Sequence, residues 1–485
     1  MSNKNGVVSS SMWMMGLSIS EKIFSFGIYI LLARFLDIVE FGIVAFCVLF
    51  LEFLTLLINS GVREYLVTRK ETSKLLINTC FISIMSIAVL LVAVFFQVFT
   101  YFLPEDSSPL LTEVLQVMIF LPIVSSFNTV QISILQRRLA FKQLSIRNLI
   151  STSIAGLVGV FFAYNGYGAW ALVINKYTAV ILNSLILQYL VRYIPSFQFS
   201  IAIFKECYRF SIPLLLSEIL NFWSSRVMQL FVSIFFGPAS FAILDIARKF
   251  SSLVTQISLT SLRPVCLSFV SKAPTGEKGT SHSNFSAYIA FFVVPTLISI
   301  GVYADSYVTL IFGPQWEPAI TIIELLSFAA LAQGLTWYFS LLLVVNEKTK
   351  QVFVWNMVFF VLSLMGGGVS FDLSFPQYIT VQVAIINVLS AFKIYYLWKT
   401  KLISFENIKK SYLPVFLSTI FFVTISMLLK IYFFEPYKTD GLIDLILVSF
   451  LILVSLIIYM TFAYIIFREF FEGILNTIRK IKKVK

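Results

Sequence analysis

Lys22, Lys176, Arg226, Arg248 and Lys249 fall inside long apolar stretches of the 485-residue chain, and so do Glu21, Glu52, Glu218, Asp245 and Glu324. An ionised side chain at a bilayer centre costs about 2.5–3.5 kcal/mol even on a lenient insertion scale, so such groups must line water or meet one another. Two roles are open to the cations. Arg forks and Lys point charges complement a ligand with many acceptor oxygens and at least two negative charges, such as a diphosphate. On that reading Lys22, Arg226, Arg248 and Lys249 are the substrate-binding set. On the other, Glu21–Lys22, Glu218–Arg226 and Asp245 with Arg248 or Lys249 are internal ion pairs that only support folding. The acids have a third role open to them: Glu21, Glu52, Glu218 or Asp245 could take up protons or sodium and couple movement to an ion gradient. Lys176, high in its stretch, can snorkel outward, and Arg34 sits where an interface anchor belongs.

Few other chemistries are on offer. The single His282 is expected in a polar loop, which argues against a His-based metal site or catalytic dyad. Cys47, Cys80, Cys207 and Cys266 have no paired spacing and read as small buried thiols. No G-x-x-x-x-G-K-[ST] loop is present, which argues against ATP hydrolysis. The expectation is a protein that is not an enzyme and needs no metal or cofactor.

The elements that must position these charges are membrane helices. Hydrophobic residues make up 59% of the chain and charged ones only 12%, against about 45–50% and 25% in soluble domains. Mean hydropathy is +0.91. This excludes a soluble enzyme or a secreted disulfide scaffold, and it makes the net charge of +12 a membrane feature rather than a nucleic-acid one. Apolar runs of about twenty or more residues predict about fourteen helical spans. They lie near 9–35, 41–61, 74–100, 110–134, 147–164, 169–191, 208–236, 239–266, 285–311, 318–345, 351–370, 376–398, 411–432 and 442–467. Helices are expected because a barrel would show short alternating strands instead of continuous runs. No cleavable signal is visible, so the first helix is expected to stay.

Basic residues collect on alternate loops, from Arg63–Lys74 and Arg137–Arg147 through Lys393–Lys410 to a tail running Arg479–Lys485. By the positive-inside rule these loops and both termini are cytoplasmic. The tail reads as an anionic-lipid contact. Trp170 and Trp316 at outer helix starts, and Trp398 at an inner end, suit interfacial belts. Gly366-Gly367-Gly368 should loosen or end a helix rather than hinge a gate.

The chain also carries a weak internal repeat. Phe35-Leu36-Asp37-Ile38-Val39-Glu40-Phe41-Gly42-Ile43 joins the first two spans, and Phe235-Phe236-Gly237-Pro238-Ala239-Ser240-Phe241-Ala242-Ile243 joins the seventh and eighth. Six intervening spans give the halves one orientation, a parallel repeat. Polar stripes fall on the repeat-equivalent spans: Ser11, Ser18, Lys22, Ser25 and Tyr29; Glu218, Asn221, Ser225, Arg226 and Gln229; and Asp245, Arg248, Lys249, Ser252, Thr255, Gln256 and Arg263.

Ala33-Arg34-Phe35-Leu36 with Glu40-Phe41-Gly42, Leu135-Gln136-Arg137-Arg138, Gly166-Tyr167-Gly168-Ala169-Trp170, Phe210-Ser211-Ile212-Pro213-Leu214 and Phe236-Gly237-Pro238 together resemble one family. It is the polysaccharide transporters (O-antigen and colanic-acid flippases) of the multidrug/oligosaccharidyl-lipid/polysaccharide exporter superfamily. The resemblance is best over about residues 10–270. It implies two six-span bundles around a central cavity, placed at 1–200 and 201–400, with two further spans and a basic tail at 401–485. It also implies alternating access, and export of undecaprenyl-diphosphate-linked oligosaccharide across a bacterial cytoplasmic membrane. A polysaccharide polymerase is among the partners it implies. A multidrug/cation antiporter of the same fold would favour a more acidic cavity. A membrane glycan polymerase or ligase would need a larger outer loop than any found near 101–109, 303–317 or 433–441.

Overall fold

The computed structural model describes residues 4–59, 61–69, 73–102, 108–255, 270, 278–368, 372–437 and 442–473. The basic tail at 479–485, Cys266, and Gln256 and Arg263 of the third polar stripe lie outside them. The described residues form helices and no strand. In hydrocarbon each backbone N–H and C=O must find its partner within the same segment, and a helix does this locally.

Ten helical segments among the described residues are long and apolar enough to cross a membrane, and a bent pair at Ala319–Phe328 and Ala332–Val345 makes an eleventh if counted as one span. The expected spans at 9–35, 208–236 and 239–266 fall on α1 (Lys4–Phe35), α9 (Ile201–Phe235) and α10 (Gly237–Thr255). Those three carry the charged stripes, and residues 256–266 of the third expected span lie outside the described residues. The protein is an all-α multispanning chain.

Contacts divide the chain into two units, Met1–Arg226 with Phe236–Ala242, and Val227–Phe235 with Ile243–Lys485. The first unit contains α1, α2 (Ile38–Asn59), α3 (Val62–Thr68), α4 (Lys74–Phe102), α5 (Pro109–Met118), α6 (Leu121–Arg137), α7 (Phe141–Tyr164) and α8 (Ala169–Val191). Helix α7 packs between α1 and α8, and its small residues make that close. Ile28 of α1 fills the notch at Gly156, while Asn175 of α8 lies against Gly159 and donates to the Ala155 carbonyl at 2.8 Å. A buried core of Ile58, Val62, Tyr65, Ile84 and Val130 joins α2, α3, α4 and α6. Cys47, Cys80 and Cys207 are buried free thiols; the Cys80 and Cys207 sulfurs are 3.9 Å apart, well beyond the roughly 2 Å of a disulfide.

The residues that carry the family resemblance turn out to latch this unit together. Gly168 has φ 53, a left-handed backbone, and a Cβ there would sit 2.7 Å from the Glu40 carboxylate oxygens. That carboxylate accepts from the Ala169 N–H at the start of α8, where a helix exposes unsatisfied donors and partial positive charge. Arg137 donates Nη1 to the Leu66 carbonyl at 2.9 Å and to the Arg69 carbonyl, tying the end of α6 to the end of α3. Gly42 lies against the Pro238 carbonyl, and Gly61 against the Ser211 backbone.

The second unit is built on α11 (Lys278–Val302), α12 (Ala304–Phe312), α13 (Ala319–Phe328), α14 (Ala330–Thr336), α15 (Phe339–Val345), α16 (Thr349–Gly368), α17 (Phe375–Lys399), α18 (Phe405–Leu429) and α19 (Leu442–Ile466). Phe291, Phe422 and Tyr459 pack at its centre; the Tyr459 ring stacks on Phe291 at 4.6 Å and its hydroxyl donates to the Phe291 carbonyl at 2.8 Å. Lys430 donates to Asp305 at 2.8 Å and to the Val302 carbonyl at 2.9 Å. Gly366, Gly367 and Gly368 are still helical in α16, and Gly367 gives room to the Phe231 ring.

Three local expectations are corrected here. His282 is in no loop: it lies in the first turns of α11 and is 1% exposed. Trp316 is fully buried rather than at an interface, because the Gly313-Pro314 turn folds it into the second unit. Arg147 and Lys393, counted with the basic loops although the expected spans 147–164 and 376–398 contain them, lie within helices; Lys393 sets its ammonium 5.7 Å from the centre of the Phe339 ring.

Candidate functional site

Glu21 and Lys22 stand on α1, Glu52 on α2, and Glu218 and Arg226 on α9, all in the first unit. Asp245, Arg248 and Lys249 stand on α10 in the second. Each unit has its own grouping.

In the first unit Arg226 donates Nη2 to Glu52 Oε2 at 2.7 Å. Its guanidinium also lies 5.9 Å from the Phe222 ring centre, and Phe53 packs against Phe222 and Trp223 at 5.4 and 4.9 Å. Glu218 is eight residues from Arg226 on the same helix, two turns and about 12 Å of rise away. The measured partner comes instead from a helix distant in sequence. This pair is open: the Arg226 side chain is 29% exposed and that of Glu52 is 47%. Glu218, Asn221 and Ser225 share that exposed character, whereas Gln229 is buried. An open ion pair deep in long helices cannot face lipid at tolerable cost, so this surface of α2 and α9 must be wet.

On α10, Asp245 precedes Arg248 by three residues and Lys249 by four, the spacings at which side chains of one helix are neighbours. Asp245 and Arg248 are half-buried and Lys249 is exposed. On α1, Glu21 and Lys22 are adjacent in sequence, and adjacent residues of a helix do not face each other. Among the described residues no group of three or more His, Cys, Asp or Glu side chains could hold a metal ion.

Sequence reasoning missed Glu52 as the Arg226 partner and Arg147 as a buried charge. Long-range pairing has no local signal. Arg147 had one: it opens the apolar run at 147–164, and its place beside a basic loop masked it.

The polysaccharide biosynthesis protein family matches residues 31–321, more than half of the chain. The chain belongs to this family. The matched region takes in the Glu40, Arg137, Gly168 and Pro238 latches as well as the Arg226–Glu52 pair. Among individual relatives, the chain is 24% identical over 326 residues to the succinoglycan biosynthesis transport protein ExoT of Rhizobium meliloti (strain 1021), covering 66% of this chain and 65% of that one. It is 20% identical over 344 residues to the lipopolysaccharide biosynthesis protein WzxC of Escherichia coli (strain K12), 67% of each. The chain thus spans about two thirds of the length of these relatives. Among solved structures it is similar to the lipid II flippase MurJ in an inward closed conformation, with TM-score 0.73 and 15% identity over 94% of this chain and 99% of that one. An inward-facing multidrug resistance MATE family transporter of the MOP superfamily is similar at TM-score 0.52 and 13% identity, over 79% and 93%. Both likenesses are of fold.

Proposed function

We propose that the protein moves a lipid-linked oligosaccharide, joined to its polyprenyl carrier by a diphosphate, across a bacterial cytoplasmic membrane by alternating access. The single observation that carries this reading is the open Arg226–Glu52 pair between two long helices, with the guanidinium side chain 29% exposed. Family membership, relatives named for polysaccharide transport and a flippase fold support it. Lys22 and Arg226 of the first unit, and Arg248 and Lys249 of the second, are the cations that meet the substrate along its wet path; the 200-residue offset of the two turns supports two six-span repeats at 1–200 and 201–400, with 401–485 appended. The diphosphate oxygens take the guanidinium forks, and the glycan crosses in the wet cavity while the polyprenyl chain stays in lipid. A glycan polymerase receives the product on the far side.

The direct test is transport in proteoliposomes. Purified protein should carry fluorescently tagged undecaprenyl-diphosphate-linked oligosaccharide across the bilayer, read as its protection from an external glycosidase. A cationic dye should not be carried. Dye transport without glycan transport would make the protein an antiporter instead.

Orientation follows from loop charge. Reporter fusions after residues 106, 240 and 438 should read external and those after 70, 140 and 275 internal. Two inversions would overturn the orientation.

A further inference from the structure

Between α16 and α17 of the second unit lies a groove of about 390 Å³, running from Gln351 and Tyr396 at one end to Leu362 and Leu389 at the other. Its rim is open to the outside: Val354 and Phe392 are each 55% exposed. Apart from Gln351, the side chains that line it are aliphatic or aromatic. The Gln351 Oε1 is buried and has no hydrogen-bond partner among the described residues. A buried carbonyl in that state is costly, and only a donor relieves it.

The groove has the length of one lipid chain. Gln351 and Leu362 are eleven residues apart on α16, about 16 Å at 1.5 Å per residue. One leaflet of a hydrocarbon core about 30 Å thick has nearly that depth. A polyprenyl carrier chain, much longer than a leaflet is deep, would overrun it. The Gln351 end is the polar one. Trp355 and Tyr396 meet there with ring centres 5.6 Å apart, and these residue types settle at headgroup level. Exposed Lys350 stands one turn before Val354, and exposed Lys399 one turn after Tyr396. The same end therefore carries two cations.

We infer that this groove holds one glycerophospholipid, its acyl chain along Val358 and Leu362, its phosphate toward Lys350 and Lys399, and a headgroup N–H or O–H donated to Gln351 Oε1. The unmatched carbonyl then selects lipids whose headgroup carries a donor over lipids whose headgroup has none. The site is independent of the diphosphate reading above.

The experiment adds lipid to full-length, delipidated protein in detergent and follows thermal unfolding, which a ligand of the folded state delays. Phosphatidylethanolamine and phosphatidylcholine share phosphate and net charge, but methyl groups replace the N–H donors of the second. Phosphatidylethanolamine should stabilise the wild-type protein, and phosphatidylcholine should need about tenfold higher concentration for the same shift, the effect of one carbonyl left unmatched. Gln351→Leu should erase that preference, so that the two lipids act alike. A groove coated non-selectively by bulk lipid would show no such change. Val358→Trp, which fills the groove, should abolish the response to both lipids. Should Val358→Trp fail to fold, the Gln351→Leu result decides alone. Equal responses of the wild-type protein to the two lipids, or a preference that Gln351→Leu leaves unchanged, overturns the proposal. So does stronger stabilisation by undecaprenyl phosphate than by phosphatidylethanolamine, which would give the groove to the carrier chain.

Discussion

Replacing Arg226 by Ala should lower export of lipid-linked glycan by at least about tenfold, the loss of one or two charge-assisted hydrogen bonds to the substrate. Arg226→Lys should recover part of that, because an ammonium cannot reproduce the two-pronged geometry of a guanidinium. The control is set by the geometry at Glu52, whose carboxylate takes the Arg226 Nη2 at 2.7 Å. If Arg226 serves only to neutralise that acid, the double change Glu52→Gln with Arg226→Gln should restore the export that either single change loses. If Arg226 grips substrate, the double variant stays inactive. Protein level in the membrane must be matched first, since one unmatched charge lowers stability. The penalty here should lie below the roughly 3–5 kcal/mol of a fully buried pair, because both side chains reach water.

The second large effect is on stability. Gly42→Val should prevent folded protein from accumulating, because a Cβ at Gly42 would land on the Pro238 carbonyl oxygen. Side-chain clashes are often relieved by a rotamer change; backbone against backbone has no such escape, so the cost should exceed the usual 1–3 kcal/mol or so of overpacking. Gly27→Ala is the matched control. It lies inside α1 with nothing within 4 Å of the added carbon, and Ala is favoured over Gly within a helix by about 1 kcal/mol. Heating detergent extracts and measuring the monodisperse fraction by size-exclusion chromatography separates the two. An equal apparent melting temperature for Gly42→Val and wild type would remove the close packing of α2 on the first turn of α10.

Why some of this was legible in the chain and some was not follows from the range of each interaction. A bilayer forces helices, so the apolar runs translate directly into elements. Lys22, Arg226 and Arg248 stand out because a charge in an apolar run is a local anomaly. Their partners are not local. Glu52 meets Arg226 across 174 residues, and Glu218 is only the nearer acid along the chain. Trp316 reads as an interface residue from its place at the head of an apolar run, and only the turn at Gly313 reveals that it points inward. The Arg226–Glu52 and Glu40–Ala169 contacts are geometry within one unit.

The Glu40–Gly168 latch bears on how such chains can recombine. A carboxylate from the second helix occupies the volume that any side chain at position 168 would need, so two motifs well separated in sequence form a single physical unit. A chimera with a related exporter whose junction falls between residues 41 and 167 would inherit one half of that unit from each parent. If the other parent carried a larger residue opposite Glu40, or a shorter one in place of it, the start of α8 would lose its anion or gain a clash. Junctions placed before residue 38 or after residue 170 keep both halves in one parent and leave this latch intact.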